Sequence, residues 1–278
     1  MKLSEIHIRD PYVLPYGGKY YLYGTTGATC WGAADCFYGY MSGDLDDWEG
    51  PFEIFRRPEG FWADRHYWAP EVHFYKGSFY MFASFKAEGV CRGTQILKSS
   101  SPLGPFELHS DGPVTPPDWE CLDGTLYVDG SGTPFIVFCH EWVQIRDGTI
   151  CVRRLSDGLD APAGEPLTLF HGSDPSWADK DAEHYVTDGP FLYRRGNGEL
   201  LMLWSSSTRD YVQAVSRSAS GEIEGPWEHD SELIFEKDGG HGMLFRAFDG
   251  RLMMALHRPN NTPRERAVFF EMGAEGGE

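Results

Sequence analysis

The chain has 278 residues, with 42 acidic against 24 basic side chains, a formal net charge of -18 and 15% aromatic residues. That negative surplus would repel a phosphate backbone, and Lys and Arg form no basic stripe, which sets nucleic acid aside as a partner. No stretch approaches the roughly 18 consecutive apolar residues of a membrane helix, so no membrane role is expected.

The first ten residues, MKLSEIHIRD, hold neither an apolar leader core nor a small-residue cleavage site, and the expectation is a cytoplasmic protein. The next two segments set a pattern. PYVLPY from Pro11 and GKYYLYGTT from Gly18 are short apolar runs on either side of a Gly turn, which predicts a β-hairpin. The same design returns as PEVHFYK with GSFYMFASF from Gly77, GTLYVDG with GTPFIVFCH from Gly132, GPFLYRR with GELLMLWSS from Gly198, and GMLFRAF with GRLMMALHR from Gly250. A further element with a Gly-Pro-aromatic turn follows in three units: SGDLDDWEGPFEIF, SSSPLGPFELHS and SASGEIEGPWEHD. No long stretch has helical apolar periodicity, and no linker divides the chain. Five antiparallel units recurring roughly every 50–65 residues predict an all-β fold, a five-bladed β-propeller forming one domain over 1–278. The six cysteines (Cys30, Cys36, Cys91, Cys121, Cys139 and Cys151) lack zinc-ligand spacing and read as reduced thiols.

An ionisable residue stands near the start of each inner strand: Asp10, Glu71, Asp123, Asp188 and His241. If these positions are equivalent, four acids and a histidine converge on the central axis at one face. The returning strands bring Thr25, Ser84, His140 with Glu141, Ser205, and His257 with Arg258 to that face. The connecting segments add Trp31, Phe37, Trp62, His66, Trp68, Trp142 and Tyr211, aromatic candidates for stacking on sugar rings beside carboxylates that hold hydroxyls. Clustered acids in a pocket cannot all keep ordinary pKa values, so a protonated acid and an ionised base can coexist near neutral pH, as glycoside hydrolysis requires. There is no GxSxG, P-loop or dinucleotide-binding Gly pattern.

RDPYVLPYGGKYYLYGTT, HYWAPEVHFYKGSFYMFAS, CLDGTLYVDGSGTPFIV, VTDGPFLYRRGNGELLMLWSS and GGHGMLF, in this order, resemble glycoside hydrolase family 43 over nearly the whole chain. The resemblance implies an inverting enzyme acting on arabinofuranosides or xylosides, with an oligosaccharide as its partner. It implies Asp10 as general base, Asp123 as modulator of the acid, Arg258 as a substrate contact, and His241 beside one calcium ion in the central channel, with no organic cofactor. Glu71 stands where a substrate or structural hydrogen bond is implied. The chain departs from the family at the acid, having Asp188-Gly189-Pro190 where a Glu-Gly-Pro is usual. Asp is one methylene shorter, and a misplacement of about 1 Å can cost on the order of 100-fold in rate. Asp188 in a tighter pocket, Glu141 beside Trp142, or a site that only binds sugar are the alternatives, with Glu183 a minor candidate. Activity is expected to release terminal arabinofuranosyl or xylosyl residues, with endo-acting arabinanase and a non-catalytic carbohydrate-binding propeller as the other readings.

Overall fold

A computed structural model describes residues 1–273. Blade one is β1 (Ile8–Tyr16), β2 (Lys19–Thr26), β3 (Cys36–Ser42) and β4 (Trp48–Arg56). Blade two is β5 (Arg65–Tyr75), β6 (Ser78–Ala87), β7 (Val90–Ser99) and β8 (Glu107–Leu108). In blade three, β9 (Cys121–Val128) and β10 (Pro134–His140) lead into a single helical turn, α1 (Trp142–Ile145), followed by β11 (Thr149–Arg154) and β12 (Leu167–His171). Blade four is β13 (Asp188–Arg194), β14 (Leu200–Ser207), β15 (Tyr211–Ser218) and β16 (Glu228–His229). Blade five is β17 (Gly240–Arg246), β18 (Leu252–Arg258) and β19 (Arg266–Glu271). All pairings are antiparallel between successive strands, and the inner strands β1, β5, β9, β13 and β17 contact one another in a closed ring, as in a five-bladed propeller.

The predicted hairpins are the two innermost strands of each blade. The Gly-Pro-aromatic elements are the outermost strands β4, β8 and β16, with a cis Gly-Pro bond within β4 at Pro51 and just before β8 and β16 at Pro105 and Pro226. The third strands escaped the apolar reading because they bury polar residues, Arg92, Thr94 and Gln95 on β7 and Gln213 and Ser216 on β15. Among the described residues blade five has no fourth strand of its own. The N-terminal segment bridges it to blade one: His7 pairs with Arg266, while Met1 and Trp48 exchange two backbone hydrogen bonds of 2.8 Å. Aromatic side chains fill the space between blades. Tyr23, Phe37, Phe55, Tyr67 and Phe85 pack between blades one and two, and Trp204 with Phe170 anchors the interface of blades three and four.

Every inner strand carries a bulge at the same height, where its register against the second strand slips. The bulged residue has left-handed backbone in each blade: Asp10 (φ 54°), Ala69 (φ 44°), Asp123 (φ 58°), Gly189 (φ 52°) and His241 (φ 52°). For the four non-glycine residues this conformation costs of the order of 1 kcal/mol each, and such strain persists only where the surroundings enforce it. Here the enforcement comes from the preceding blade. The freed N–H of Asp10 donates to His257 Nδ1 (3.1 Å), that of Ala69 to Thr25 Oγ1 (2.8 Å), that of Asp123 to Ser84 Oγ (2.9 Å) and that of His241 to Ser205 Oγ (2.6 Å). Thr25, Ser84, Ser205 and His257 occupy one equivalent place on their second strands, opposite Arg9, Trp68, Asp188 and Gly240. In blade three that place is held by Cys139, a poor acceptor, and the Gly189 N–H donates to Asp123 Oδ2 instead (2.9 Å).

Candidate active site

The bulges aim side chains along the axis into a cavity of about 300 Å³ lined by residues of all five blades. Its floor holds Asp10, Asp123, Asp188 and His241, and its walls hold Trp31, Trp68, Glu141, Trp142 and Tyr211 together with Arg9, His66 and Arg92. The five ionisable residues at the strand starts are not equivalent, as counting along the sequence had placed them. Asp10, Asp123 and His241 sit at the bulge itself, whereas Asp188 precedes its bulge residue Gly189 by one and Glu71 follows Ala69 by two.

His241 links two of the acids, its Nδ1 lying 3.2 Å from Asp10 Oδ1 and 3.7 Å from Asp123 Oδ2. Thr25 Oγ1 donates to Asp10 Oδ2 at 2.6 Å, and Arg9 Nε stands 3.6 Å from Asp10 Oδ1. Burial alone would raise the Asp10 pKa, but His241, Arg9 and the Thr25 hydroxyl outweigh it and hold Asp10 at about 2. Asp188 behaves oppositely. Loss of solvent around it, then the charge of Asp123, push it up to about 7, although Tyr211 donates to its Oδ2 at 3.1 Å and part of its surface stays open to the cavity. Asp123 is also pushed well up, first by burial and then by Asp10, with the Gly189 N–H acting against the rise. His257, wholly buried beneath Asp10, is driven down to about 3 by burial and is neutral near pH 7, consistent with its Nδ1 accepting the Asp10 N–H.

Glu141 caps the start of α1 and is buried on the cavity wall. Burial raises its pKa, and Arg92, whose Nε donates to Glu141 Oε2 at 3.3 Å, counteracts the rise. The Arg92 guanidinium lies 3.6 Å over the Trp68 ring, which stacks on His66 and meets the exposed ring of Trp31 edge-on. These three aromatic residues line the cavity together with Trp142.

Four expected substrate contacts do not lie on this cavity. Trp62 and Phe37 pack into the aromatic core between blades one and two, where Trp62 Nε1 donates to Gln95 Oε1 at 2.6 Å. Glu71 lies deeper in the channel beside His73 (3.0 Å), whose Nδ1 is 3.2 Å from the Tyr12 hydroxyl, because the residue two beyond the bulge faces the next layer down. Arg258, one residue beyond His257, alternates to the other side of β18 and lies over the Phe235 ring. Conversely, Arg9 and Arg92 were not singled out. Arg9 adjoins Asp10, which was, but Arg92 arrives from a third strand with no local signal; His257, expected at this face, lies beneath Asp10.

The donors expected around a calcium ion are not assembled. Calcium takes six to eight oxygens, His241 Nδ1 is turned to Asp10 and Asp123, and among the described residues no three His, Cys, Asp or Glu side chains are placed to hold a metal.

Gly189 is required twice, by its φ of 52° and because a Cβ there would lie 2.7 Å from Cγ of His241. Gly189→Ala is expected to destabilise the fold by about 2 kcal/mol or more and to displace His241 and Asp188, lowering kcat with it. A urea midpoint and a kcat equal to those of the wild type would contradict this packing.

The profile described as Glycosyl hydrolases family 43 matches residues 3–272. The chain is 25% identical over 264 residues to an extracellular exo-α-(1→5)-L-arabinofuranosidase of Cellvibrio japonicus, covering 85% of this chain and 71% of that protein. It is 24% identical over 246 residues to an extracellular endo-α-(1→5)-L-arabinanase of Bacillus subtilis, covering 84% and 71%. A crystal structure of an endo-arabinase from Bacteroides thetaiotaomicron superposes with a TM-score of 0.91 at 36% identity, covering 100% of this chain and 98% of that one. Both curated relatives are named extracellular, which overturns the cytoplasmic expectation; residues 1–10 belong to the folded ring and carry no information on export. Profile, relatives and propeller agree, and the chain is a glycosidase belonging to glycosyl hydrolase family 43.

Proposed function

We propose that this single-domain propeller is an inverting glycosidase of α-1,5-linked arabinan working outside the cell, with Asp10 as general base and Asp188 as general acid. The observation that carries the reading is the division of protonation within one cavity. Asp10 is held at about 2 and is ionised at neutral pH, while Asp188, from the non-adjacent blade four, is pushed up to about 7 and keeps its proton in a useful fraction of molecules. Asp10 takes a proton from water as that water attacks the anomeric carbon, and Asp188 delivers one to the departing glycosidic oxygen from the opposite side. Asp123 orients the acid by accepting the N–H of Gly189, the residue after Asp188, and its charge favours the protonated form of Asp188. The shorter reach of Asp188 is offset in part by the Tyr211 hydroxyl, which fixes its Oδ2 from the next strands of blade four. Glu141 is the second candidate for the acid, but its Arg92 partner favours the ionised form and suits it better to holding sugar hydroxyls. Names of the relatives support arabinan as the substrate, and the aromatic wall of Trp68, Trp31 and Trp142 supplies sugar platforms.

The test is hydrolysis of linear arabinan, arabino-oligosaccharides, aryl arabinofuranosides and aryl xylosides, with the anomer of the first product followed by proton NMR. Arabinose-containing products appearing first with inverted configuration are expected. Retention of configuration, or turnover confined to xylosides, would overturn the proposal.

A further inference from the structure

A second hollow lies on the same face of the propeller, beside blade four. Its lining includes Trp177, Glu183, His184, Tyr185, Ser207 and Thr208, and its volume is about 160 Å³. Its place on the catalytic face follows from topology. Residues 183–185 immediately precede β13, which begins at Asp188, and Ser207 ends β14, whose Ser205 pairs with Asp188. The partition between the hollow and the main cavity is itself aromatic: Trp142 lines the cavity, His184 lines the hollow, and the two rings stack at 4.1 Å with 18° between their planes. The segment carrying His184 is fastened to the end of α1, since Arg146 donates to the Glu183 carbonyl from Nε (3.3 Å) and Nη2 (3.0 Å) and the Tyr185 N–H donates to the Arg146 carbonyl (2.8 Å). The partition is thus a built feature of the face.

The chemistry of the hollow is that of a sugar site. Glu183, His184, Tyr185, Ser207 and Thr208 make no side-chain hydrogen bond to other side chains or backbone among the described residues, so an imidazole, a carboxylate and three hydroxyls line the hollow with polar atoms open to solvent and to a ligand. Trp177, packed against Trp204 at 5.5 Å, gives an apolar floor. No Lys or Arg lines the hollow, while Asp179 and Glu183 do, which disfavours an anionic ligand, and no stretch of the lining is apolar enough for a lipid or a peptide helix.

We propose that this hollow is a remote subsite for a neutral pentose residue of the same oligosaccharide chain, which leaves the main cavity, crosses the Trp142–His184 stack and seats a further sugar against Trp177 and the polar rim. The proposal rests on the arabinan reading for its ligand. It makes affinity depend on chain length: a chain too short to cross the stack gains nothing from the hollow, and a longer one gains its hydrogen bonds and ring contact.

The experiment is calorimetric titration of linear arabino-oligosaccharides, from di- to hexasaccharide, into full-length Asp10→Ala and into the same protein carrying Ser207→Tyr, a bulky side chain at an exposed strand end. The expected result is a step of about tenfold in Kd at one chain length in the first protein, equivalent to about 1.4 kcal/mol, and loss of that step in the second. Thr208→Tyr, on the adjoining bend, provides an independent block, and matching thermal melts confirm that the fold is kept. A Kd that does not change with length, or a step that survives both blocking substitutions, would overturn the subsite. Turnover of arabino-oligosaccharides by wild type is read separately: its absence with the length step present would overturn the catalytic reading while leaving the subsite standing.

Discussion

Asp10→Ala is expected to lower kcat by about 1,000-fold or more on every substrate the enzyme accepts, with a smaller change in KM. General base catalysis by a positioned carboxylate contributes typically 100- to 10,000-fold, and no neighbour can replace it here. The Thr25 hydroxyl and the His241 imidazole that contact Asp10 are spent on it, and the neutral His257 lies beneath it with its Nδ1 used by the Asp10 N–H. A stability signature accompanies the kinetic one. Asp10 titrates at about 2 when folded, below its ordinary 3.8, so its ionised form favours the folded state above pH of about 4 and that contribution disappears as pH falls towards 2. Asp10→Ala should therefore show less loss of stability between those two pH values than wild type, measured by urea unfolding. An Asp10→Ala enzyme retaining a tenth of wild-type kcat would remove Asp10 from the mechanism.

Asp188→Asn has the second large effect, and it separates function from stability. An acid must be protonated to act, so kcat/KM of the wild type is expected to fall as pH rises through about 7, the value to which Asp188 is raised. In Asp188→Asn the rate should drop by 100-fold or more, and the descending limb near 7 should vanish from what remains. Glu141→Gln should keep that limb while raising KM. The folded protein, however, gains. A carboxyl raised from 3.8 to about 7 burdens the folded state progressively as pH rises between those values. Asn imposes no such burden and still accepts from Tyr211, so Asp188→Asn should be more stable at pH 8 by about 2 kcal/mol, a figure reduced from the full shift because the side chain is partly open to solvent. If Glu141→Gln instead removes the limb, Glu141 is the acid.

The blades were legible because each hairpin repeats one pattern, a Gly turn between apolar runs, and such a pattern needs no tertiary information. The axial site was legible in part. Asp10, Asp123 and His241 share a slot, and reading Asp188 and Glu71 into it failed because a bulge shifts the face of every later side chain by one position, and nothing in the sequence marks which residue bulges. The true occupants of the slot in blades two and four are Ala69 and Gly189, which carry no chemistry to draw attention. For Glu71 the slip decides between the cavity and the layer beneath it. Arg258 failed for a related reason: period-two alternation puts His257 at the site and turns Arg258 away. Arg92 was beyond reach, since Trp68 meets it across the strands of blade two and Glu141 only by the packing of blade three against blade two.

The fastening of each bulged residue by the blade before it has a consequence for how the enzyme comes into being. The acceptor for the backbone N–H of Asp10, His257, lies 247 positions later in the chain, so the strand that carries Asp10 is made long before the group that fastens it. Blades two, three, four and five receive their fastening from a blade already made, and blade one alone must wait for the last. The nascent protein therefore leaves Asp10 unfastened until blade five has been made and the circle shuts. A chain interrupted before β18, however well its first four blades have formed, lacks the acceptor that holds Asp10 in its strained conformation.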